Sequence, residues 1–326
     1  MPVAIKWGQD IETRTVEWLM KPFIPYGKVT IIQGDPGEGK TSFILAIAAM
    51  LSQGIQPPTM KDGKLYPADY RTNLVRIEPQ NIFYASTEEE ISDSALPSFL
   101  YSGGDRKRFA CSAEKTLHMN LCEDDIREVI QQTDAKLVII DPLQAFLPEG
   151  VSMNNVTRMR PVFTALSNVA LETGAAIVLI GHVNKSENAK LIHRGLGSAD
   201  ISAAVRSIIL VQKDDSDHGL RIAQTIKSNF RECDYTPIGM RMENEQIYFV
   251  ELGEDEEEEI VLGRNRPIDI AIAFLEEKLA DGPIESNEIK EMLADEGISE
   301  RTANRAKKAL GIESVREDGM TLWELP

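Results

Sequence analysis

Four short apolar runs recur along the chain, and each leads into polar or small residues. They are Val29-Thr30-Ile31-Ile32, Asn81-Ile82-Phe83-Tyr84-Ala85-Ser86, Lys136-Leu137-Val138-Ile139-Ile140-Asp141 and Ala176-Ile177-Val178-Leu179-Ile180. Runs of this length without alternation read as strands buried on both faces. Helix-like stretches lie between them: Ser42 to Leu51 is rich in Ile, Leu, Ala and Met, and Arg160 to Glu172 precedes the fourth run. Strand and helix therefore alternate, which predicts an α/β fold with a mostly parallel central sheet. Ahead of the first run, Trp7, Trp18-Leu19-Met20 and Phe23-Ile24-Pro25 read as an irregular lead-in whose apolar anchors pack on the core. Residues 53–78 interrupt the pattern with Pro57-Pro58, Asp62-Gly63 and Pro67, a surface excursion with a short hairpin.

The last quarter of the chain follows another rhythm. A hairpin is predicted near Ile238–Met242 and Gln246–Glu251, and an acidic stretch over 254–264 then reads as a linker. Ile268 to Leu279 and Ser286 to Glu296 read as helices, with Ser299 as N-cap of a third. On that third helix Arg301, Arg305 and Lys308 share one face, while Ala303, Ala306 and Leu310 share the other. Strands over Ile312–Arg316 and Met320–Leu325, joined at Asp318-Gly319, complete the pattern of a winged helix. The expected division is 1–253, a linker over 254–264, and a winged-helix domain over 265–326.

Candidate chemistry collects at the ends of the apolar runs. Gly34-Asp35-Pro36-Gly37-Glu38-Gly39-Lys40-Thr41 is a G-x-x-x-x-G-K-T phosphate loop, set between a strand and a helix as the motif requires. Its glycines let backbone N–H groups turn around a triphosphate, and the following helix adds its positive end. The nucleotide-binding set is Gly34, Pro36, Gly37, Glu38, Gly39, Lys40, Thr41 and Ser42. Lys40 is expected to reach the β- and γ-phosphates and the Thr41 hydroxyl to ligate Mg²⁺, so the implied cofactors are ATP and Mg²⁺. The plain alternative is a glycine-rich turn with a surface lysine. Asp141 closes its strand as an apolar-run aspartate that can hold Mg²⁺ through the ion's water shell, although strand followed by Asp-Pro is also an ordinary turn. Glu88 follows the second run at the edge where open α/β sheets bind ligands, which makes it the candidate for orienting an attacking water. The same glutamates also suit the start of a helix. His182, just past the fourth run, stands where a side chain would feel the γ-phosphate, though a lone histidine is often structural. Two irregular segments, Pro148 to Pro161 and Ser186 to Ser198, carry Arg158, Arg160, Lys190, His193 and Arg194 on glycine- or asparagine-bearing backbone. Such loops suit single-stranded DNA, and equally suit plain solvent.

Charge and composition narrow the classes. The 326 residues carry a net charge of −17, of which −6 sits in Glu254 to Glu259, −5 in 261–326 and −6 in 1–253. A global acidic balance weakens non-specific nucleic-acid binding without excluding contact through locally basic loops. Cys111, Cys122 and Cys233 are scattered, with no C-x-x-C, which argues against a disulfide framework or a zinc site. No run approaches the ~18 apolar residues of a membrane helix, and residues 1–6 lack a signal-peptide core. A cytoplasmic protein with no membrane partner is the expectation.

The order of these motifs, phosphate loop, strand plus Glu88, Leu-Val-Ile-Ile-Asp141-Pro-Leu, then Val-Leu-Ile-Gly-His182-Val-Asn-Lys, resembles the RecA-like ATPases of the RepA-type hexameric helicase group. Trp18-Leu19, Ile24-Pro25, Gly197-Ser198 and Ala203-Ala204-Val205-Arg206-Ser207 add to the likeness, which covers roughly residues 15–250. The resemblance implies a RecA-like P-loop core, a homo-oligomer of hexameric type, and an ATP site between subunits completed by an arginine from the neighbour. By position that arginine finger is Arg206. Lys227 and Asn229 resemble the pair that acts in trans at the end of a late strand, but the commoner form there is Lys-x-Arg, which shifts the role to Arg206. The tail resembles the winged-helix domains of RepA-like ATPases from phages and mobile elements, which bind DNA or protein. The implied function is a DNA motor, helicase, translocase or helicase loader, in replication of such an element. An ATP-switched regulator or initiator and a filament-forming recombination mediator are the alternatives. A small-molecule kinase would leave the winged helix unexplained.

Overall fold

The computed structural model describes residues 7, 10, 15–87, 91–112, 119–151, 156–182, 205–214, 217, 219–230, 235–243, 246–252, 267–280, 282–295, 298, 300–317 and 320–325. The chain divides into two compact units, 1–213 with 219–251, and 214–218 with 252–326.

In the first unit β1 (Trp18–Met20) pairs antiparallel with β2 (Ile24–Pro25), and Leu19, Met20, Phe23 and Ile24 are fully buried, as lead-in anchors should be. β3 (Val29–Gly34) is buried throughout and runs through the phosphate loop into α1 (Lys40–Ser52). β4 (Thr59–Lys61) and β5 (Lys64–Tyr66) form the short hairpin, turned by Asp62 and Gly63 at φ 51° and 75°, the positive values a two-residue turn demands. The order then runs β6 (Asn81–Ser86), α2 (Ala95–Tyr101), β7 (Phe109–Cys111), α3 (Glu123–Thr133), β8 (Ala135–Asp141), α4 (Val156–Thr173) and β9 (Ala176–His182). β10 (Ser207–Lys213), β11 (Leu220–Ser228), β12 (Ile238–Glu243) and β13 (Gln246–Val250) follow.

One nine-stranded sheet holds these together in the order β13-β12-β11-β10-β3-β9-β8-β6-β7. The pairs from β10 across to β7 are parallel, and β11, β12 and β13 extend the sheet antiparallel beyond β10. The α/β class and mostly parallel central sheet expected of a RecA-like core are thus present. Period-two alternation divides the strand side chains between two cores. Ile32, Tyr84, Ile139, Val178 and Ile209 pack with α1, whereas Ile31, Phe83, Val138, Ile177 and Ile208 pack with the apolar stripe of α4. Both faces are covered, which is why these strands are uninterrupted apolar runs.

One segment departs from expectation. Pro148 to Pro161 reads as irregular, yet α4 is already helical at Val156 and carries Pro161 inside it. Proline there forgoes one backbone hydrogen bond. Met159, Phe163, Leu166 and Val169, all fully buried, supply the packing that outweighs this local cost. Among the described residues no helix is long and apolar enough to cross a membrane.

The second unit contains α5 (Pro267–Leu279), β14 (Ile284–Glu285), α6 (Ser286–Asp295), α7 (Glu300–Ala309), β15 (Glu313–Glu317) and β16 (Met320–Glu324). Its antiparallel sheet has the order β14-β16-β15. Leu275, Leu279, Ile289, Leu293, Ala303, Ala306 and Trp323 make its core. On α7, Ala303 and Ala306 face inward while Asn304 and Lys308 are exposed. The two-residue strand β14, which closes the sheet against β16, is too short to show in the hydrophobic pattern. The acidic run, Ser299, Asp318-Gly319 and the side chains of Arg301 and Arg305 lie outside the described residues.

Candidate functional site

Register brings the phosphate loop, Asp141 and the backbone of His182 to one edge of the large sheet. β3 and β9 pair with Gly34 opposite His182, and β6 and β8 pair with Ser86 opposite Asp141. The carboxyl ends of four adjacent strands therefore align, with β9 inserted between the loop-bearing β3 and the aspartate-bearing β8. Helix α1 starts at this same edge, with Gly39 as N-cap, so its unpaired N–H groups point toward it.

The loop itself is held from three sides. Gly37 and Gly39 sit at φ 77° and 93°, values that admit the tight wrap and disfavour any side chain. Lys40 is 5% exposed, and its Nζ donates to the carbonyls of Gly34 (2.9 Å) and Asp35 (2.8 Å). Across the edge, the Thr41 hydroxyl donates to Asp141 Oδ2 at 2.6 Å, and the buried Tyr84 hydroxyl donates to the same oxygen at 3.0 Å. From β10, the Val211 carbonyl lies where a Cβ on Gly34 would have to go, and the Lys213 amide donates to the Glu38 carboxylate. From β11, the stem of Arg221 packs on Gly39, with Cγ 3.3 Å from the position of a Cβ there. Pro36 is exposed and Ser42 half-buried.

A second group of cations occupies the opposite edge. Arg206 directly precedes β10, whose first residue Ser207 pairs with Thr30, so Arg206 lies at the amino end of the parallel strands. The Asn229 amide donates to the Arg206 carbonyl (3.0 Å), and Lys227 Nζ donates to the Val205 carbonyl (2.8 Å). Burial, and then the Arg206 charge, lower the pKa of Lys227, and the same two causes lower that of Lys28. Lys28 and Lys227 are therefore each close enough to Arg206 to be repelled by it. Arg206 itself is exposed.

The family described as AAA domain matches residues 1–188, more than half of the chain. The chain belongs to the AAA-domain family. It is 26% identical over 214 residues to "DNA repair protein RadA" of Brucella abortus (strain 2308), covering 64% of this chain and 38% of that protein. To the protein of the same name from Bacillus subtilis (strain 168) it is 22% identical over 209 residues, covering 63% and 37%. The chain thus matches less than two-fifths of the length of these curated relatives. Among solved structures, the RadB recombinase is similar with a TM-score of 0.46 and 15% identity, over 69% of this chain and 91% of that one.

For an AAA-domain protein the implied ligand is ATP with Mg²⁺, and the residues present fit it. A buried ammonium held by backbone carbonyls, a positive-φ glycine loop and a helix N-terminus suit a polyphosphate. The Thr41 and Asp141 oxygens are hard donors, and Mg²⁺ takes one or two protein ligands while keeping phosphate oxygens and waters. Among the described residues no group of three or more His, Cys, Asp or Glu could cage a metal. Of the other predicted residues, Glu88 lies outside the described residues, as does the His182 side chain, although the His182 backbone ends β9 at the loop edge. The Ser186 to Ser198 segment also lies outside them, while Arg158 donates to the Gly150 carbonyl (2.7 Å) and Arg160 is exposed. Sequence reasoning did not single out Tyr84, Lys28, Lys213 or Arg221. Tyr84 carried a signal, a phenol inside an otherwise apolar strand that must find a partner when buried.

Proposed function

We propose that the chain is a DNA-stimulated ATPase of the recombination-mediator kind, working as a head-to-tail oligomer. The observation that carries the reading is the division of the sheet into two edges. Lys40, Thr41 and Asp141 form a Mg–nucleotide cradle at one edge, while Arg206, with Lys28 and Lys227, stands at the other, out of reach of its own cradle. When bound, ATP with Mg²⁺ supplies the reactive γ-phosphoryl group and the charge that polarises it. Lys40 would bind the phosphate oxygens, Thr41 and Asp141 would hold the ion, and Glu88 would orient the attacking water. The His182 backbone, level with Gly34, links the phosphate edge to the segment after β9. Arg206 stabilises charge on the neighbour's γ-phosphate. DNA as partner is supported by the RadA proteins, whose name ties them to DNA repair, and by the basic residues Lys190, His193 and Arg194 of the sequence after β9.

A second reading, a helicase, translocase or loader, is favoured by the second unit. Its order of helix, strand, helix, helix, strand, strand and the exposed Lys308 on α7 support a winged helix able to hold duplex DNA or a protein partner. One experiment separates the readings: steady-state ATP hydrolysis with and without single-stranded DNA across protein concentration, alongside separation of a fluorescent forked duplex. Stimulation by single strands and a specific rate rising with concentration, without strand separation, support the mediator. Strand separation moves the second reading ahead. A slow rate indifferent to both DNA and concentration refutes the two together and leaves an ATP-switched regulator.

A further inference from the structure

Asp141 Oδ2 accepts hydrogen bonds from two sides, from Thr41 at 2.6 Å and from Tyr84 at 3.0 Å. Thr41 belongs to the motif, but Tyr84 comes from the neighbouring strand β6, where Tyr84 and Ile139 are register partners two residues short of the Ser86–Asp141 pair. The ring is 3% exposed and stacks on Phe109, with centroids 6.0 Å apart and planes at 29°. A phenol so enclosed has almost no rotational freedom, and its hydroxyl is delivered to one oxygen of one carboxylate. We infer that Tyr84 is a positioning residue for the Mg²⁺ site. It helps fix the plane of the Asp141 carboxylate, which with Thr41 would hold the ion.

The physical case rests on orientation. A carboxylate can swing about its χ2 torsion unless the donors that hold it are themselves fixed, and an ion held through few protein ligands is sensitive to that swing. A second donor, rigid because its ring is buried, removes the freedom. Outer partners of metal ligands typically contribute 10- to 100-fold in metal affinity for this reason. Tyr84 also ties the Asp141 carboxylate to β6.

The inference rests on the Mg–nucleotide reading of this edge, and its test keeps the two apart. Binding of a fluorescent ADP analogue is titrated first without Mg²⁺ and then against Mg²⁺, on wild type, Tyr84→Phe and Phe109→Leu. Tyr84→Phe keeps the ring and the packing and loses only the donor. The expected result is a Mg²⁺ half-saturation raised about 10-fold, with Mg-free nucleotide affinity unchanged. Phe109→Leu, which loosens the stack without removing the hydroxyl, is expected to raise the Mg²⁺ half-saturation by less than Tyr84→Phe does. An unchanged Mg²⁺ dependence in Tyr84→Phe overturns the inference, as does a parallel fall of both affinities in the two variants, which would make Tyr84 a packing residue. Failure of the wild type to bind the analogue at all would instead overturn the nucleotide reading itself.

Discussion

Two substitutions that each abolish hydrolysis are expected to rescue one another when placed in the same oligomer. Lys40→Ala removes the ammonium at the loop edge, and Arg206→Ala removes the exposed guanidinium at the other edge. β3 separates them: Val29 to Gly34 spans five residue steps, about 16 Å at ~3.3 Å per residue, further than one arginine side chain extends. On the head-to-tail reading proposed above, Arg206 serves another copy, its own cradle being out of reach. Each single variant should lose about 10³-fold or more in turnover, the usual range for an arginine acting on the transferring phosphoryl group. In a random equal mixture, a head-to-tail interface is intact when an Arg206→Ala subunit supplies the loop and a Lys40→Ala subunit supplies the arginine, so about a quarter of the wild-type rate should return. The assay is phosphate release from oligomers co-expressed with two tags, purified through both, and measured with single-stranded DNA. Rates at background in such mixed oligomers, or an Arg206→Ala variant as fast as wild type, would refute the trans placement.

Two further outcomes follow from contacts away from the loop. The Tyr70 hydroxyl receives the Phe249 N–H at 2.6 Å and donates to the Phe249 carbonyl at 3.2 Å, tying residues 53–78 to β13; burial pushes its pKa up to about 12. Tyr70→Phe leaves both backbone groups buried without that partner, a loss of about 2–3 kcal/mol measurable by urea denaturation, and a change below about 0.5 kcal/mol would contradict the account. At the cation edge, Lys28 and Lys227 have pKa values lowered from 10.5. Their protonated forms cost stability below the lowered values, and that cost is relieved as pH rises through them. Contact with a neighbour's phosphates would raise both pKa values again, so assembly takes up protons and should weaken with rising pH in the alkaline window beneath 10.5. Sedimentation of the nucleotide-bound protein across that window checks this, and Lys227→Arg should flatten the dependence. A wild type already flat in pH would remove Lys28 and Lys227 from the interface.

What could be read before the fold was known is what local pattern encodes. The loop, its flanking strand and helix, and the Asp141 strand are each visible within a dozen residues, because buried strands are apolar runs and the phosphate loop is a spaced motif. The hairpin at Asp62-Gly63 is visible for the same reason. Tyr84 and Asp141 are 57 positions apart, and only the β6–β8 register makes them partners. Lys28 and Lys227 join Arg206 through the pairing of β3, β10 and β11, a convergence that no spacing along the chain announces. The start of α4 was obscured by Pro161, where core packing overrides the local signal. Arg221 looks like any strand arginine until its stem is seen lying on Gly39.

The placement of β10 gives the two edges a mechanical relation. At its carboxyl end the Val211 carbonyl abuts Gly34 and the Lys213 amide holds Glu38, so the phosphate loop rests on this strand. At its amino end it begins directly after Arg206, and β11 pairs with it over its whole length from Ser207 to Lys213. A strand pair bonded on both sides within a sheet moves as a unit or not at all, since its ladder leaves little internal freedom. If Arg206 completes the next copy's site, a shift of the loop in one subunit can reach the guanidinium in its neighbour's site through a single stiff element. The interface is then heterologous, and rotation that closes gives a ring while rotation that does not gives a filament. The hexamer of the helicase-like reading and the filament of the mediator reading are then the closed and open forms of one contact. The quantity that separates them is the angle between successive copies.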